Sequence, residues 1–229
     1  MKSMENTISV ILVVKNGEPY LAQAIESVLA QSVSPLEILL IDGYSQDSTP
    51  QIASRYSQVT CLLQTGCGLA NARNQGISMV RGEWVAFLDC DDCWPVDKLA
   101  LQVDFHRANP LYDFSVGWVK FFLDSGATLR LGFRAETFET GEVGYTPGSL
   151  FARRSAFERV GCFDESLTIA CDADWFARLR DRGEKLGVLA QVLLHKRIHS
   201  NNLSGRVQQN RHELMIVLQR SLARKRQRE

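Results

Sequence analysis

The sequence predicts an α/β fold with a mostly parallel central sheet flanked by helices. Short apolar, β-branched runs alternate with segments of helical periodicity through residues 8–107, which is the pattern of consecutive βα units. Acidic or amide residues follow three of these runs directly, at the ends of strands where open parallel sheets bind ligands. With 229 residues, 45% of them hydrophobic, the chain can form one ordinary core.

The first βα unit begins close to the N-terminus. Ile8 to Val14 is an almost continuous apolar, β-branched run, which is typical of a strand buried on both faces. The run ends at Lys15-Asn16-Gly17, and Pro19 opens a segment whose apolar residues recur at helical spacing up to Leu29.

Three further units follow the same plan. The last of their strands runs straight into Asp89-Cys90-Asp91-Asp92. The predicted strands and helices are Glu37 to Ile41 with Pro50 to Tyr56, Cys61 to Leu63 with Leu69 to Val80, and Trp84 to Leu88 with Val96 to Arg107.

The second half of the chain is less regular. Its pattern predicts a hairpin across Phe114 to Arg130 that turns at Ser125-Gly126, followed by a mobile surface loop in the glycine-rich residues 132–148. The other predicted elements are helices at Ser155 to Val160 and Asp172 to Arg182, a strand at Val188 to Leu194 and a last helix carrying Leu214 to Leu222. Since no repeat or clear linker interrupts the chain, we expect a single domain.

Composition excludes several classes of function. Lysine and arginine number 26, as do aspartate and glutamate, so no net field directs the chain toward nucleic acid. The apolar runs are far shorter than the roughly 20 residues of a membrane helix, and we expect a cytoplasmic protein. A core of this size needs no disulfides, which predicts six free thiols. The spacing of Cys61, Cys67, Cys90 and Cys93 disfavours a zinc site, and buried thiols are the better interpretation.

The acidic run after the fourth predicted strand is the strongest chemical signal. Three carboxylates in four residues repel one another unless a cation neutralises them, and oxygen ligands suit Mg²⁺ or Mn²⁺. In an extended segment Asp89 and Asp91 would face the same side. A charged, exposed loop without an ion explains the same residues equally well.

Six short sequence blocks in a fixed order resemble those of family 2 glycosyltransferases with the GT-A fold. The resemblance extends from the first strand to about Ser204. The blocks are Ile8 to Ile11 with Asn16-Gly17-Glu18, Asp42 to Thr49, Ala72 to Ile77, Phe87 to Asp92, Gly161 to Glu165, and Asp172 to Trp175 with Arg197-Ile198-His199. Each block is weak by itself, whereas their joint order is specific.

This resemblance implies transfer of a sugar from a nucleoside diphosphate sugar to an acceptor hydroxyl, with inversion and with Mn²⁺ or Mg²⁺ as cofactor. Asp172 would be the general base, and Asp91 and His199 would hold the metal. The nucleotide would contact Val13, Asn16, Asp42, Arg73, Asp89 and Cys90. The acceptor, a glycan, a lipid-linked sugar or a small molecule or peptide, stays open.

The same resemblance divides the single domain 1–229 into functional parts. Residues up to about 100 would bind the nucleotide sugar, residues 101–204 would receive the acceptor, and residues 205–229 would form a C-terminal basic helix. Its five cations, Arg220, Arg224, Lys225, Arg226 and Arg228, suit a solvated, frayed helix end. A weak contact with an anionic membrane or an acidic partner is the alternative.

Some positions depart from the family pattern. Val14-Lys15-Asn16 stands where many members have Thr-Tyr-Asn, and Asp42-Gly43 stands where many have two aspartates. Cys171 replaces the acid that commonly precedes the catalytic aspartate, so Asp172 lacks a neighbour that would raise its pKa. Asp174, two residues on, is an alternative base.

Other functions fit less well. Gly66-Cys67-Gly68-Leu69-Ala70-Asn71 resembles a dinucleotide-binding loop, but Asn71 replaces the third glycine and the loop follows the third strand. A nucleotidyltransferase should carry a longer Gly- and Arg-rich loop after its first strand. A non-catalytic nucleotide-sugar-binding module or regulatory subunit with the same fold stays open as the alternative function.

Overall fold

The structure is a computed structural model that describes residues 7–124, 136–200, 202 and 207–228. The strands are β1 (Ile8–Val14), β2 (Glu37–Asp42), β3 (Val59–Leu63), β4 (Trp84–Asp89), β5 (Phe114–Leu123), β6 (Glu142–Val143), β7 (Phe151–Arg153) and β8 (Leu186–Ile198). The helices are α1 (Leu21–Leu29), α2 (Thr49–Ala53), α3 (Leu69–Met79), α4 (Lys98–Ala108), α5 (Glu136–Glu139), α6 (Ala156–Val160), α7 (Cys171–Asp181) and α8 (Val207–Arg226).

One mixed sheet organises these elements, in the order β3-β2-β1-β4-β7-β5-β6, with β8 beside β5. The first four strands are parallel. β7 pairs antiparallel with β4 and β5, whereas β8 runs parallel to β5. The predicted α/β fold with a mostly parallel centre is therefore confirmed.

Apolar side chains fill both faces of the sheet. Alternate residues of β1 enter two different core clusters: Ile11 and Val13 face one, while Val10 and Leu12 face the other. All seven residues of β1 are buried, which is why the strand reads as a continuous apolar run. Helix α3 packs so close to this strand that a Cβ added at Gly76 would lie 2.6 Å from Ile11.

The predicted surface loop is wrong where the structure describes it. From residue 136 onward the chain forms α5, β6 and a short 3₁₀ helix at Pro147–Ser149, whose residues are buried. Trp94 donates its indole N–H to the carbonyl of Gly148 at 2.9 Å, because a buried indole needs an acceptor. The predicted turn at Ser125-Gly126 lies outside the described residues, and the described antiparallel partners of β5 are β6 and β7.

The six cysteines are free thiols, as predicted, but their burial differs from the prediction. Cys61 and Cys67 are exposed, Cys90 is half-buried and Cys93 is buried. Cys61 points away from the core because β3 is the edge strand of the sheet. Pattern alone does not reveal which strand lies at the edge.

The predicted frayed C-terminus is also wrong. Helix α8 packs against α7, and three of its five terminal cations contact the body of the protein, whereas Lys225 and Arg226 are exposed as predicted. Arg224 contacts Asp181 at 2.8 Å and Arg220 contacts Asp164 at 2.7 Å. Arg228 donates to the carbonyl of Asp181. None of the described helices combines the length and hydropathy that a membrane crossing requires.

Helix α4 carries a buried polar stripe toward the sheet. Lys98, Gln102 and His106 lie at successive helical turns and are at most 3% exposed. The Lys98 ammonium donates to the Gln102 Oε1 at 2.7 Å and lies 4.3 Å from the Trp94 ring centroid. The Gln102 Nε2 donates to the carbonyl of Ser149 at 3.0 Å. These partners fix the rotation of α4 on the sheet.

His106 completes the stripe as a neutral ring. Its Nδ1 lies 2.9 Å from the carbonyl of Tyr112, which can only accept, so Nδ1 carries the proton and Nε2 accepts from the Ser115 hydroxyl at 3.0 Å. Burial lowers the pKa of His106 to about 4, although the bond to Tyr112 opposes this shift.

This depressed pKa predicts an acid sensitivity. Between about pH 6.5 and 4 the histidine is protonated in the unfolded chain, whereas the buried ring of the folded protein stays neutral. The free energy of unfolding should therefore fall by roughly 3 kcal/mol as pH drops from about 6.5 to 4. Urea unfolding at pH 7 and pH 4 measures the effect. We expect the free energy of unfolding to fall less between these two pH values in His106→Gln than in the parent protein, because the contribution of His106 is absent. An equal loss in both proteins would contradict the assignment.

Candidate active site

The parallel strands bring the predicted site residues to one edge of the sheet. In the register, Val14 lies opposite Asp42 of β2, and Val13 lies opposite Asp89 of β4. The Val13 side chain is in the core, and its carbonyl accepts the N–H of Cys90 at 3.3 Å. The edge formed by the ends of β1, β2 and β4 is the floor of the candidate site.

The loops after β1 and β2 are joined by side-chain hydrogen bonds. Asp42 is 2% exposed and accepts both the N–H and the hydroxyl of Ser45, at 3.0 and 2.6 Å. The Ser45 Oγ in turn accepts the N–H of Asn16 at 2.7 Å. Asn16 has φ 54°, a left-handed conformation that asparagine tolerates better than most residues. Asp42 and Asn16 are thus parts of one preformed loop structure.

Gly17 and Cys90 contact each other beneath these loops. A Cβ added at Gly17 would lie 2.5 Å from Val14 Cγ2 and 3.2 Å from the Cys90 Sγ, so a larger residue there would displace the strand end. Burial raises the pKa of Cys90 well above its ordinary value, and the nearby aspartates raise it further. The thiol, predicted to contact the nucleotide, is therefore neutral.

Arg73 of α3 is buried under the strand ends. Its guanidinium is 1% exposed, and Nη2 donates to the Asp89 Oδ1 at 2.7 Å. The second amine lies 3.8 Å from the Cys171 Sγ. Burial would raise the pKa of Asp89, but Arg73 holds it below its ordinary range. The guanidinium, predicted to form a fork for the nucleotide, thus fixes and ionises Asp89.

Cys171 leaves Arg73 with one strong anionic neighbour at this position. The thiol is 0% exposed, and burial raises its pKa to about 11, although Arg73 opposes the shift. A neutral sulfur is a weak acceptor. The positive potential of Arg73 at Asp172, the next residue in the chain, is therefore not offset by a negative charge at position 171.

Asp172 lies in the first turn of α7, within the electrostatic reach of Arg73 and Asp89. Its Oδ1 accepts the N–H of Ala173 at 2.7 Å. Burial raises the pKa of Asp172, and Arg73 opposes the shift. Asp174, the alternative base, is 2% exposed and pairs with Arg178 at 2.7 Å. Helical geometry turns the two side chains away from each other.

The acidic run forms a turn, not the extended segment that was predicted. The N–H of Asp92 donates to the carbonyl of Asp89 at 3.1 Å. Asp92 is 1% exposed and accepts the N–H of Arg197 at 2.9 Å and the Lys196 ammonium at 3.1 Å. Burial raises the pKa of Asp92 to about 7, although Lys196 opposes the shift. Asp92 is therefore a buried support of β8.

Lys196 and Arg197 were given no role in the sequence analysis. Burial would lower the pKa of Lys196, but Asp92, Asp89 and Asp91 raise it. Arg197 donates to the carbonyl of Asp91 at 3.0 Å and to Asp124 at 3.1 Å, and its guanidinium stacks on the Tyr20 ring. Arg73 and Lys196 thus neutralise two of the three carboxylates, which removes the charge argument for a metal from Asp89 and Asp92.

Asp91 and His199 remain as the pair predicted to bind metal. The His199 Nε2 and the Asp91 Oδ2 lie 2.9 Å apart, with 10% and 23% of their side chains exposed. Adjacent ligands of an octahedral divalent ion lie about 3 Å apart, so the spacing fits, and the Asp91 carboxylate suits Mg²⁺ or Mn²⁺, whereas an imidazole is not a typical ligand of Mg²⁺. Among the described residues, no group of three or more His, Cys, Asp or Glu side chains could hold an ion. Two protein ligands are what such an ion needs when phosphates supply others.

Glu213 of α8 supports the segment that leads to Asp172. Its carboxylate is 6% exposed and accepts three successive N–H groups, those of Thr168, Ile169 and Ala170, at 3.2, 2.8 and 2.9 Å. These bonds fix the backbone just before α7. The C-terminal helix therefore fixes the start of α7, the helix that carries Asp172.

We expect Glu213→Gln to lower the free energy of unfolding by about 1.5–3 kcal/mol. One amide oxygen replaces two carboxylate oxygens, and the charge that strengthens the three bonds is lost. Chemical denaturation measures the effect. Glu158→Gln, at an exposed position of α6, is the matched control and should change stability by less than about 0.5 kcal/mol. Equal stability of the two variants would contradict the role given to Glu213.

Comparison with known proteins agrees with this architecture. Residues 9–163 match the family model described as glycosyl transferase family 2. The minor teichoic acid biosynthesis protein GgaA of Bacillus subtilis is 29% identical over 204 residues, which cover 80% of this chain and 45% of that protein. The chain spans 44% to 64% of the length of the first curated relatives it matches.

Solved structures share the fold. S. aureus TarS 1–349 in complex with UDP-GlcNAc superposes with a TM-score of 0.70 at 19% identity, over 88% of this chain and 61% of that one. A mannosyltransferase from Pyrobaculum calidifontis in complex with GDP-Man and Mn²⁺ gives a TM-score of 0.72 at 17% identity, over 95% and 64%. Since the family model covers well over half of the chain, this protein belongs to the family 2 glycosyltransferases and has the GT-A fold.

Proposed function

We propose that the chain transfers a sugar from a nucleoside diphosphate sugar to an acceptor hydroxyl, with inversion at the anomeric carbon. The observation that carries the proposal is the charge cluster of Arg73, Asp89 and Asp172 at the strand ends, next to the Asp91–His199 pair. The complexes of similar folds with UDP-GlcNAc and GDP-Man support a nucleotide-sugar donor.

Asp172 acts as the general base. Its carboxylate takes the proton of the acceptor hydroxyl while the oxygen attacks the anomeric carbon and the bond to the diphosphate oxygen breaks. Within the described part of the chain, Asp172 forms no salt bridge, whereas Asp89, Asp92 and Asp174 each pair with a cation. One general base that activates the acceptor supports one direct displacement, which inverts the configuration.

Asp91 and His199 would hold the divalent ion, and Asp89 would face the donor. A bound Mn²⁺ or Mg²⁺ would stabilise the charge that grows on the departing diphosphate. Asp89, kept ionised by Arg73, accepts hydrogen bonds from donor hydroxyls, and Asp42 with Asn16 shapes the wall for the nucleoside. Residues 101–204 would receive the acceptor beside Asp172, within a single domain.

A thermal-shift panel tests the proposal. Uridine, guanosine, thymidine and cytidine diphosphates are added with and without Mn²⁺. A nucleotide at one hundred times its dissociation constant should raise the apparent stability by about 2.7 kcal/mol. We expect a metal-dependent shift with one nucleotide, and its loss in Asp91→Ala.

Asp104→Ala is the matched control for this panel. The Asp104 side chain is 73% exposed on α4, so the variant should keep the full shift. A shift that survives in Asp91→Ala would remove Asp91 from the metal site. Absence of a shift with every nucleotide would count against the donor class.

A further inference from the structure

Helix α8 presents an apolar face that no described element covers. Leu214, Leu218 and Leu222 lie four residues apart, so they form one stripe along the helix. Their side chains are 42%, 51% and 47% exposed, and Met215 beside them is 55% exposed. The neighbouring side of α8, with Val217 and Ser221, is buried against the body of the protein.

The charges of α8 are sorted between these two sides. Arg220 and Arg224 are turned toward the body by their ion pairs with Asp164 and Asp181. Arg211, Lys225 and Arg226 are exposed and lie three or four residues from a leucine of the stripe, hence next to it on the helix surface.

The helix has no exposed carboxylate. Its one acidic residue, Glu213, is buried against the N–H groups of residues 168–170. The outer face therefore combines large apolar side chains with cations. Such a combination matches the boundary between acyl chains and anionic headgroups.

We propose that this face of α8 docks the protein on an anionic lipid surface. The leucines and Met215 enter the boundary of the acyl chains, while Arg211, Lys225 and Arg226 contact headgroup phosphates. A second copy of the chain is a poorer occupant, because a two-fold contact through one face would place its cations opposite the same cations. An acidic protein partner would match the charges but not the row of four apolar side chains.

The docked face begins beside the catalytic segment. Leu214 directly follows Glu213, which holds the backbone that leads to Asp172. A surface that contacts α8 therefore lies next to the start of α7. The proposal does not depend on sugar transfer, since it concerns a surface outside the crevice.

Sedimentation with vesicles tests the proposal on the full chain without any donor. We expect binding to vesicles of phosphatidylcholine with phosphatidylglycerol, weaker binding at high salt, and none to phosphatidylcholine alone. Leu214→Gln with Leu218→Gln, and separately Lys225→Gln with Arg226→Gln, should each lower the partition coefficient about tenfold or more. Both pairs are exposed, so circular dichroism should show an unchanged fold.

Leu111→Gln is the matched control. Leu111 is 78% exposed in the loop between α4 and β5, so the variant removes an exposed leucine without touching α8, and its partitioning should equal that of the parent. Equal partitioning of all variants, or no binding to anionic vesicles, would overturn the proposal. Light scattering would also overturn the proposal if it showed a dimer that the double leucine variant dissociates, because a second copy of the chain would then occupy this face.

Discussion

Replacement of Asp172 by Asn is expected to lower kcat by about 10²–10⁴-fold, because the amide cannot accept the proton of the acceptor hydroxyl. The donor site is built from other residues, so nucleotide binding should be retained. Turnover with the nucleotide identified by thermal shift, followed as release of nucleoside diphosphate, measures the first effect, and the thermal shift itself measures the second. Full activity of Asp172→Asn would assign the base elsewhere.

The pH profile gives a second readout of the same residue. Burial raises the pKa of Asp172 above the ordinary range of an aspartate, and the base works only when it is ionised. The rate should therefore fall as pH drops through this raised pKa. The residual rate of Asp172→Asn should lack that acidic limb.

Asp174→Asn is the control for this variant. Asp174 pairs with Arg178 at 2.7 Å, and Arg178 also donates to the carbonyls of Val160 and Cys162. Loss of the pair should lower stability by about 1–3 kcal/mol with kcat nearly unchanged. A larger loss of kcat in Asp174→Asn than in Asp172→Asn would reverse the two assignments.

Replacement of Arg73 by Met should lower the free energy of unfolding by about 3–5 kcal/mol, since it leaves the Asp89 carboxylate without its cation in a buried place. The Arg73 and Asp89 side chains are 2% and 21% exposed. Arg73 also depresses the pKa of Asp89. The stabilisation by the pair is therefore complete above the ordinary pKa of an aspartate and is lost as pH falls through the lower folded value.

Two comparisons isolate this effect. Arg81→Met removes an arginine whose side chain is 72% exposed and pairs with Glu37, so it should cost at most about 1 kcal/mol. The double variant Arg73→Met with Asp89→Asn should recover part of the stability, because it removes the unpaired charge. Urea unfolding at pH 7 measures all three proteins. Equal losses for Arg73→Met and Arg81→Met would contradict the buried-pair interpretation.

The first half of the fold was predictable because each of its elements carries a local signal. β1 is apolar at nearly every position since both of its faces are covered. The parallel register then brings Asp42 and Asp89 to one edge, which follows once the strands are recognised. Proximity of these site residues is thus a property of the βα repeat.

The partners of the acidic run were not predictable by the same means. Lys196 contacts Asp92 across 104 residues of sequence, and no local pattern on β8 marks its place beside the segment that follows β4. From sequence, the three carboxylates were therefore predicted to need a metal ion. In the structure, Arg73 and Lys196 neutralise two of them. Contacts between residues so far apart in the sequence depend on tertiary packing, which local sequence patterns do not reveal.

Residues near the proposed base also show that local sequence does not reveal tertiary partners. Asp172 and Asp174 are two positions apart, and sequence offered either as the base. The neighbours of α7 differ for the two residues: Arg178 pairs with Asp174, whereas Asp172 lies in the field of Arg73 and Asp89, and on this difference we base the proposal of Asp172. The glycine-rich residues 132–148 were misread for a related reason, because burial of Gly148 depends on Trp94 from another part of the chain.

The polar stripe of α4 limits the movements that this helix can make against the sheet. A slip of α4 by one turn would leave the Gln102 amide and the Lys98 ammonium without partners in apolar surroundings, and each unpaired group costs several kcal/mol. The helix therefore has one docked position and no stable partly docked one. In folding, α4 joins the sheet in a single cooperative step, and its amides become accessible to solvent exchange only when the layer opens as a whole.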